Sequence, residues 1–172
     1  MGLRKDVMSF FGGALSLYVP KAWKARGQVA MTNIKACLGH IRDTGSSKGR
    51  GVFASRQIFA GELVEACPVV LLSPYWVQLP EEVKRLLFNW GHLTKGESAG
   101  CLALGWGSMY NHANPANLRY VAFAEERELH FFADRDIEIN EELTINYNHT
   151  GGNVTSTDDV WFRRHGVTLI SS

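Results

Sequence analysis

Cysteine is scarce in this chain: Cys37, Cys67 and Cys101 stand far apart in 172 residues, with no CxxC or CxC pair. That excludes the usual zinc-ligand spacing, and an odd number of scattered thiols suits a reducing compartment better than a disulfide framework. The expected locale is the cytoplasm, or the nucleus in a eukaryote. Long hydrophobic runs are missing too. The apolar stretch Met8 to Val19 has 12 residues, where a bilayer needs about 20. It follows Arg4-Lys5 as a signal-peptide core would, but Asp6 interrupts the basic lead and no small-residue cleavage site follows. Asp6 also occupies the position where a myristoylation signal needs Ser or Thr. No membrane partner is expected. Internal repeats and low-complexity tracts are absent, and no Ser or Cys nucleophile pattern accompanies a histidine.

What is present is enough for a core. Hydrophobic residues make up 45% of the chain and aromatics 11%, consistent with one domain. The net charge of +1 hides an asymmetry: residues 1–30 hold five basic residues and one acid, +4, so the other 142 residues carry −3. Acids crowd between Glu125 and Glu142, with Arg127 and Arg135 among them. Such a run is either a solvated strand-turn face or a field that attracts a basic peptide. Its sign is wrong for binding nucleic acid directly.

Along the chain, residues 1–30 form an extension, disordered or helical, and residues 31–172 the main domain. Short strands are expected over Ile34 to Ile41, Gly51 to Ala54, Leu63 to Leu72, Leu118 to Ala124, Glu128 to Ala133 and Leu143 to Tyr147. One helix is expected over Pro80 to Trp90, with Pro and acids at its start and Gly91 at its end. A polar, Gly-rich loop from Thr150 to Asp159 leads to Val160-Trp161-Phe162. The fold class is mainly β with a short helical insert.

Three stretches carry the chemical interest. Lys48-Gly49-Arg50-Gly51-Val52-Phe53-Ala54 formally fits a dinucleotide fingerprint, but β-prone Val52-Phe53 follows where a helix is required, and Gly61 breaks any helix soon after. Paired glycines still let backbone approach a ligand, or simply make a hairpin turn. Ser108-Met109-Tyr110-Asn111-His112-Ala113-Asn114-Pro115-Ala116-Asn117 reads alone as an Asn/Pro turn. Asn140-Glu141-Glu142-Leu143-Thr144-Ile145-Asn146-Tyr147 reads alone as a strand ending in a core tyrosine.

Together and in this order, the three resemble the signature of SET-domain protein-lysine methyltransferases, over about residues 34 to 149. In that family a G-x-G loop comes first, then N-H-S-C-x-P-N, then G-E-E-L-T-x-D-Y. The chain departs from the pattern at Ala113 and Asn114, in the place of Ser and Cys, and at Asn146, in the place of Asp; its proline is shifted by one. The missing motif cysteine and the missing tail cysteines agree with each other, so the resemblance implies a member without a zinc-bound tail and without a metal. It implies the β-clip-like SET fold with knot-like threading of the C-terminal segment, an insert at about residues 74–100 walling the substrate side, and a closing segment at about 148–172.

The resemblance also implies S-adenosylmethionine as cofactor. Lys48, Gly49, Arg50 and Gly51 would hold it with Asn111 and His112, and Trp161 and Phe162 would cover it. Tyr147 and Tyr120 would be catalytic, with Tyr110, Tyr120 and Ile145 contacting substrate. The expected partner is a protein or peptide with a basic, lysine-containing segment, and a homodimer is compatible with the sequence. A SET-like module that only binds a peptide is the rival from another class, and an enzyme acting on a non-protein amine is a third.

Overall fold

The computed structural model describes residues 34–72 and 74–167. The expected extension over residues 1–30 lies outside the described residues. Among the described residues nine strands and three short helices follow one another: β1 (Gly39–Asp43), β2 (Arg50–Ala54), β3 (Leu63–Leu72), α1 (Glu81–Lys84), β4 (Leu87–Asn89), α2 (Trp90–Thr94), β5 (Gly100–Ala103), β6 (Asn111–His112), β7 (Leu118–Phe123), β8 (Glu128–Ala133), β9 (Glu142–Ile145) and α3 (Val160–His165). They build two sheets, one ordered β1-β2-β9-β6 and the other β4-β5-β3-β8-β7. The expected mainly β architecture with a small helical insert is what is observed.

The sequence pattern explains the second sheet well. β3 is an apolar, β-branched run flanked by turn residues, and it occupies the expected span residue for residue. β7 and β8 form a hairpin in register from Leu118–Ala133 to Phe123–Glu128. Alternate side chains of this hairpin enter the core: Leu118, Leu129 and Phe131 are fully buried, each contributing about 1.5–3 kcal/mol by leaving water.

Two expected elements are redrawn. The first strand begins at Gly39 rather than Ile34. Before it, the chain follows the edge of β3, with Lys35 bridged to Ala66 and Leu38 N–H donating to the Val64 carbonyl at 3.2 Å. The single helix expected over Pro80 to Trp90 is instead one helical turn, a three-residue strand and a second turn. The reason is tertiary: Leu87, Phe88 and Asn89 pair with Leu102, Cys101 and Gly100 of β5. A sheet ladder there outweighs helix propensity, which is a weak prior of well under 1 kcal/mol per residue.

In the first sheet, β6 pairs with β9 in parallel, Asn111 opposite Thr144 and His112 opposite Ile145. β9 in turn pairs with β2 through Leu143–Val52 and Glu142–Phe53. This side-by-side order of β2, β9 and β6 brings three distant stretches of sequence onto one edge.

Candidate active site

The glycine loop is the turn between β1 and β2. Asp43 Oδ1 accepts from Gly45 N–H at 2.7 Å, and Thr44 N–H donates to the Gly49 carbonyl at 2.8 Å. Gly49 has φ +74°, a left-handed conformation that costs other residues energy. Gly51 is needed for a different reason: a Cβ there would collide with the Glu142 carboxylate and stand 3.0 Å from Asn111 Nδ2.

That crowding is the joint of the site. Asn111 Nδ2 donates to the Arg50 carbonyl at 3.0 Å and to Glu142 Oε1 at 2.7 Å. Its Oδ1 accepts no bond from a described residue. Lys48 reaches across the loop to the His112 carbonyl at 3.4 Å. Asn117 completes the stitching: its amide donates to the Glu142 carbonyl at 2.8 Å and accepts from Thr144 N–H at 2.8 Å. Glu142 and Asn117 were both visible in the motifs, but only the pairing of β6 with β9 reveals what they hold.

His112 faces the other way, into rings. Its Nδ1 accepts from Tyr147 N–H at 3.2 Å, so the ring proton sits on Nε2. Burial, with Lys48 nearby, pushes its pKa down to about 4. The imidazole is neutral at physiological pH. Its ring centroid lies 4.7 Å from that of Phe162 and 5.3 Å from that of Tyr147, while Tyr147 lies 4.5 Å from Trp161. The last segment therefore does return to the site, as a helix. α3 carries Trp161 and Phe162 and ends at Gly166, whose φ is +60°.

The depressed pKa has a measurable consequence. The unfolded chain takes up the imidazole proton near pH 6.5, the folded chain only near pH 4. The His112 contribution to stability is thus intact above pH 6.5 and lost as pH falls toward 4. Urea unfolding across that window should show this loss in the wild type and not in His112→Asn. Equal slopes would contradict a neutral, buried ring.

A cavity of ≈ 700 Å³ opens beside Tyr147. Tyr147, Tyr120, Ile145, Phe88, Trp76 and Trp161 give it an aromatic and aliphatic wall, with the insert on one side and α3 on the other. Tyr147 Oη donates to the Tyr110 carbonyl at 2.9 Å. Burial raises the pKa of both Tyr147 and Tyr120 to about 12. Tyr120 packs its ring edge-on against Phe88 at 5.4 Å, and its hydroxyl bonds to no described residue. Lys48, Gly49, Arg50, Gly51, Asn111, His112 and Phe162 do not line this cavity. Tyr147 touches both sides: His112 behind it and the cavity before it.

Tyr110 and the acidic run are placed as follows. Tyr110, expected to contact substrate, has its ring in the core, with its hydroxyl donating to buried Glu65 at 2.6 Å and lying 3.2 Å from Cys37 Sγ. Tyr110 lines the cavity, and its backbone carbonyl holds Tyr147 Oη at 2.9 Å. Of the two readings of the acidic run, the solvated face agrees with the contacts: the run contributes no residue to the cavity. Asp134 and Glu141 pair instead with Arg119 and Arg135, and Asp136 caps Ala60 N–H at 2.8 Å.

The departures at Asn114 and Asn146 meet each other: Asn146 Nδ2 donates to Asn114 Oδ1 at 3.4 Å. Asn114 also accepts from Ser156 N–H at 2.9 Å and donates to the Ser156 carbonyl at 2.6 Å. A side-chain amide clips the C-terminal segment at the place where the family pattern has a cysteine.

The SET domain family model matches residues 49–148, more than half of the chain. The chain belongs to the SET-domain family. It is 33% identical over 122 residues to a Schizosaccharomyces pombe protein described as a histone-lysine N-methyltransferase specific for H3 lysine-37, a match covering 71% of this chain and 75% of that one. Among solved structures it resembles a Plasmodium falciparum candidate histone methyltransferase, with TM-score 0.51 and 24% identity over 67% of this chain and 96% of the other. It also resembles a chain of a Polycomb Repressive Complex 2 (ctPRC2) in an autoinhibited conformation bound to S-adenosylmethionine. There the TM-score is 0.53 and the identity 25%, over 67% of this SET-domain chain and 16% of the much longer one.

Proposed function

We propose that this SET-domain protein transfers a methyl group from S-adenosylmethionine to the side-chain amine of a lysine in a protein substrate. The observation that carries this is the position of Tyr147, shared between the Asn111-His112 edge and the aromatic cavity. A lysine side chain entering the cavity would meet the cofactor at that tyrosine.

The donor set fits the cofactor's chemistry. Its amino-acid end needs an anion partner and an ammonium partner, which Lys48 and the open Asn111 Oδ1 supply. Its aromatic base needs flat, apolar cover, for which Phe162, packed edge-on against His112, is placed. When bound, the cofactor provides an electrophilic sulfonium methyl for in-line attack by the amine. The chain's own work is positioning, which can account for many orders of magnitude in rate.

The lysine must lose its proton before it attacks. Apolar walls disfavour the ammonium by desolvation and so lower its pKa. Tyr147, with its own pKa near 12, stays protonated and orients the amine rather than removing the proton, which leaves to water.

The test is transfer of isotopically labelled methyl from S-adenosylmethionine to protein lysine in a cell extract. Label recovered as methyl-lysine supports the proposal. Peptide binding without any transfer would favour the binding-module reading.

Two further outcomes follow. Tyr120, whose hydroxyl bonds to no described residue, lines the cavity with Ile145, which has no hydroxyl. A hydrogen bond from the Tyr120 hydroxyl to the amine resists further methylation, because losing one at a buried site costs about 1–3 kcal/mol. The wild type should therefore make mainly monomethyl-lysine, and Tyr120→Phe should shift products toward di- and trimethyl-lysine. Trimethyl-lysine from the wild type would remove the Tyr120 role.

Asn114→Ala should release the closing segment and weaken cofactor binding about tenfold, the scale set by loss of one aromatic packing contact, whereas a zinc chelator should leave it unchanged. Calorimetric titration decides between the two. Sensitivity to the chelator alone would reverse the assignment.

A further inference from the structure

The charged side chains that line the cavity are three cations against two carboxylates, a net positive balance. The insert contributes Lys84 and Arg85, and α3 contributes Arg164, against the carboxylates Glu81 and Asp158. Both carboxylates are already engaged. Glu81 pairs with Lys84 and lies 3.1 Å from His165 Nδ1, and Asp158 Oδ1 accepts from Val160 N–H at 2.8 Å. Arg85 uses one N–H on the His165 carbonyl at 3.2 Å. Arg164 is exposed and makes no hydrogen bond or ion pair with a described residue.

Two guanidiniums, each with five N–H donors, thus line the cavity with most of their donors open to water. A guanidinium fork matches a carboxylate bidentately. It also repels further cations, and a target lysine already brings one. Like charge set against like charge is how interfaces reject wrong partners.

We propose that Arg85 and Arg164 select substrates in which the target lysine is flanked by Asp or Glu, and disfavour lysines in basic surroundings. This rests on the methyltransferase reading of the same cavity. Arg85, just after α1, and Arg164, in α3, line the cavity where these two elements meet through the Arg85–His165 contact, so a flanking carboxylate can find a guanidinium there.

The test is a set of peptides with one central lysine and flanks of Asp, Ala or Arg, assayed with labelled S-adenosylmethionine at low and high salt. Two exposed charge pairs together should give acid-flanked peptides roughly a tenfold advantage in kcat/KM over Arg-flanked ones. The advantage should shrink at high salt, because screening shortens the reach of exposed charges. Arg85→Glu with Arg164→Glu should reverse the ranking. Label on all peptides alike, a preference for Arg flanks, or an unchanged ranking in the double variant would overturn the inference while leaving lysine methylation standing. No label on any peptide would overturn the methyltransferase reading itself, and this inference with it.

Discussion

Replacing Tyr147 by Phe should lower the rate of methyl transfer about a hundredfold, the scale expected when reacting groups are misplaced by about 1 Å. The substitution keeps the ring and its contacts with His112 and Trp161. What it removes is one hydroxyl, which the Tyr110 carbonyl holds at 2.9 Å. That carbonyl is itself fixed, since the Tyr110 ring is buried and its hydroxyl is anchored on Glu65 at 2.6 Å. The hydroxyl is therefore a rigid marker for the amine, and its loss should appear in kcat with cofactor affinity little changed. All products should fall alike, in contrast to the redistribution expected of Tyr120→Phe. An undiminished Tyr147→Phe enzyme would remove the role given to this residue.

Replacing both Asn111 and His112 by Ala should abolish the thermal stabilisation that S-adenosylmethionine gives the wild type. A ligand that binds only the native state adds about 2.7 kcal/mol at a hundred times its Kd. Asn111 joins β2 to β9 through the Arg50 carbonyl and Glu142, and His112 receives Tyr147 N–H. The double variant should also be less stable without ligand, by about 1–3 kcal/mol for each polar group left without its partner. The two effects separate in one experiment, because the baseline melting temperature reports the second and its ligand-induced shift the first. An unchanged shift would take the cofactor role away from the Asn-His stretch.

Much of this was legible in the residues, and the failures are instructive. β3 was readable because an apolar β-branched run between turn residues has no other use. The helix expected at Pro80 to Trp90 failed because Val83, Leu86, Leu87 and Trp90 satisfy helical spacing while Leu87–Asn89 also suit a ladder with β5. Only the fold decides that competition. α3 left signals that went unused: Asp158 before its first turn and Gly166 in a left-handed conformation after its last. Asn111, His112 and Tyr147 lie in motifs, and the structure brings them together. The burial of the Tyr110 ring was not legible, because adjacency to a motif says nothing about which way a ring turns. The acidic run left two readings open for a similar reason: charge along a chain does not say which face it lies on. Arg85 and Arg164 share a cavity although 79 positions separate them, and nothing in either neighbourhood foretells it.

The central claim is that the edge bearing Asn111 and His112 and the aromatic cavity meet at Tyr147 to methylate lysine. Its most direct test is mass spectrometry of a single-lysine peptide with acidic flanks, incubated with the protein and deuterated S-adenosylmethionine. The wild type should place one deuterated methyl on the lysine side chain, and the Tyr147→Phe enzyme little or none. A peptide mass unchanged by the wild type, or equal labelling by the two proteins, would contradict it.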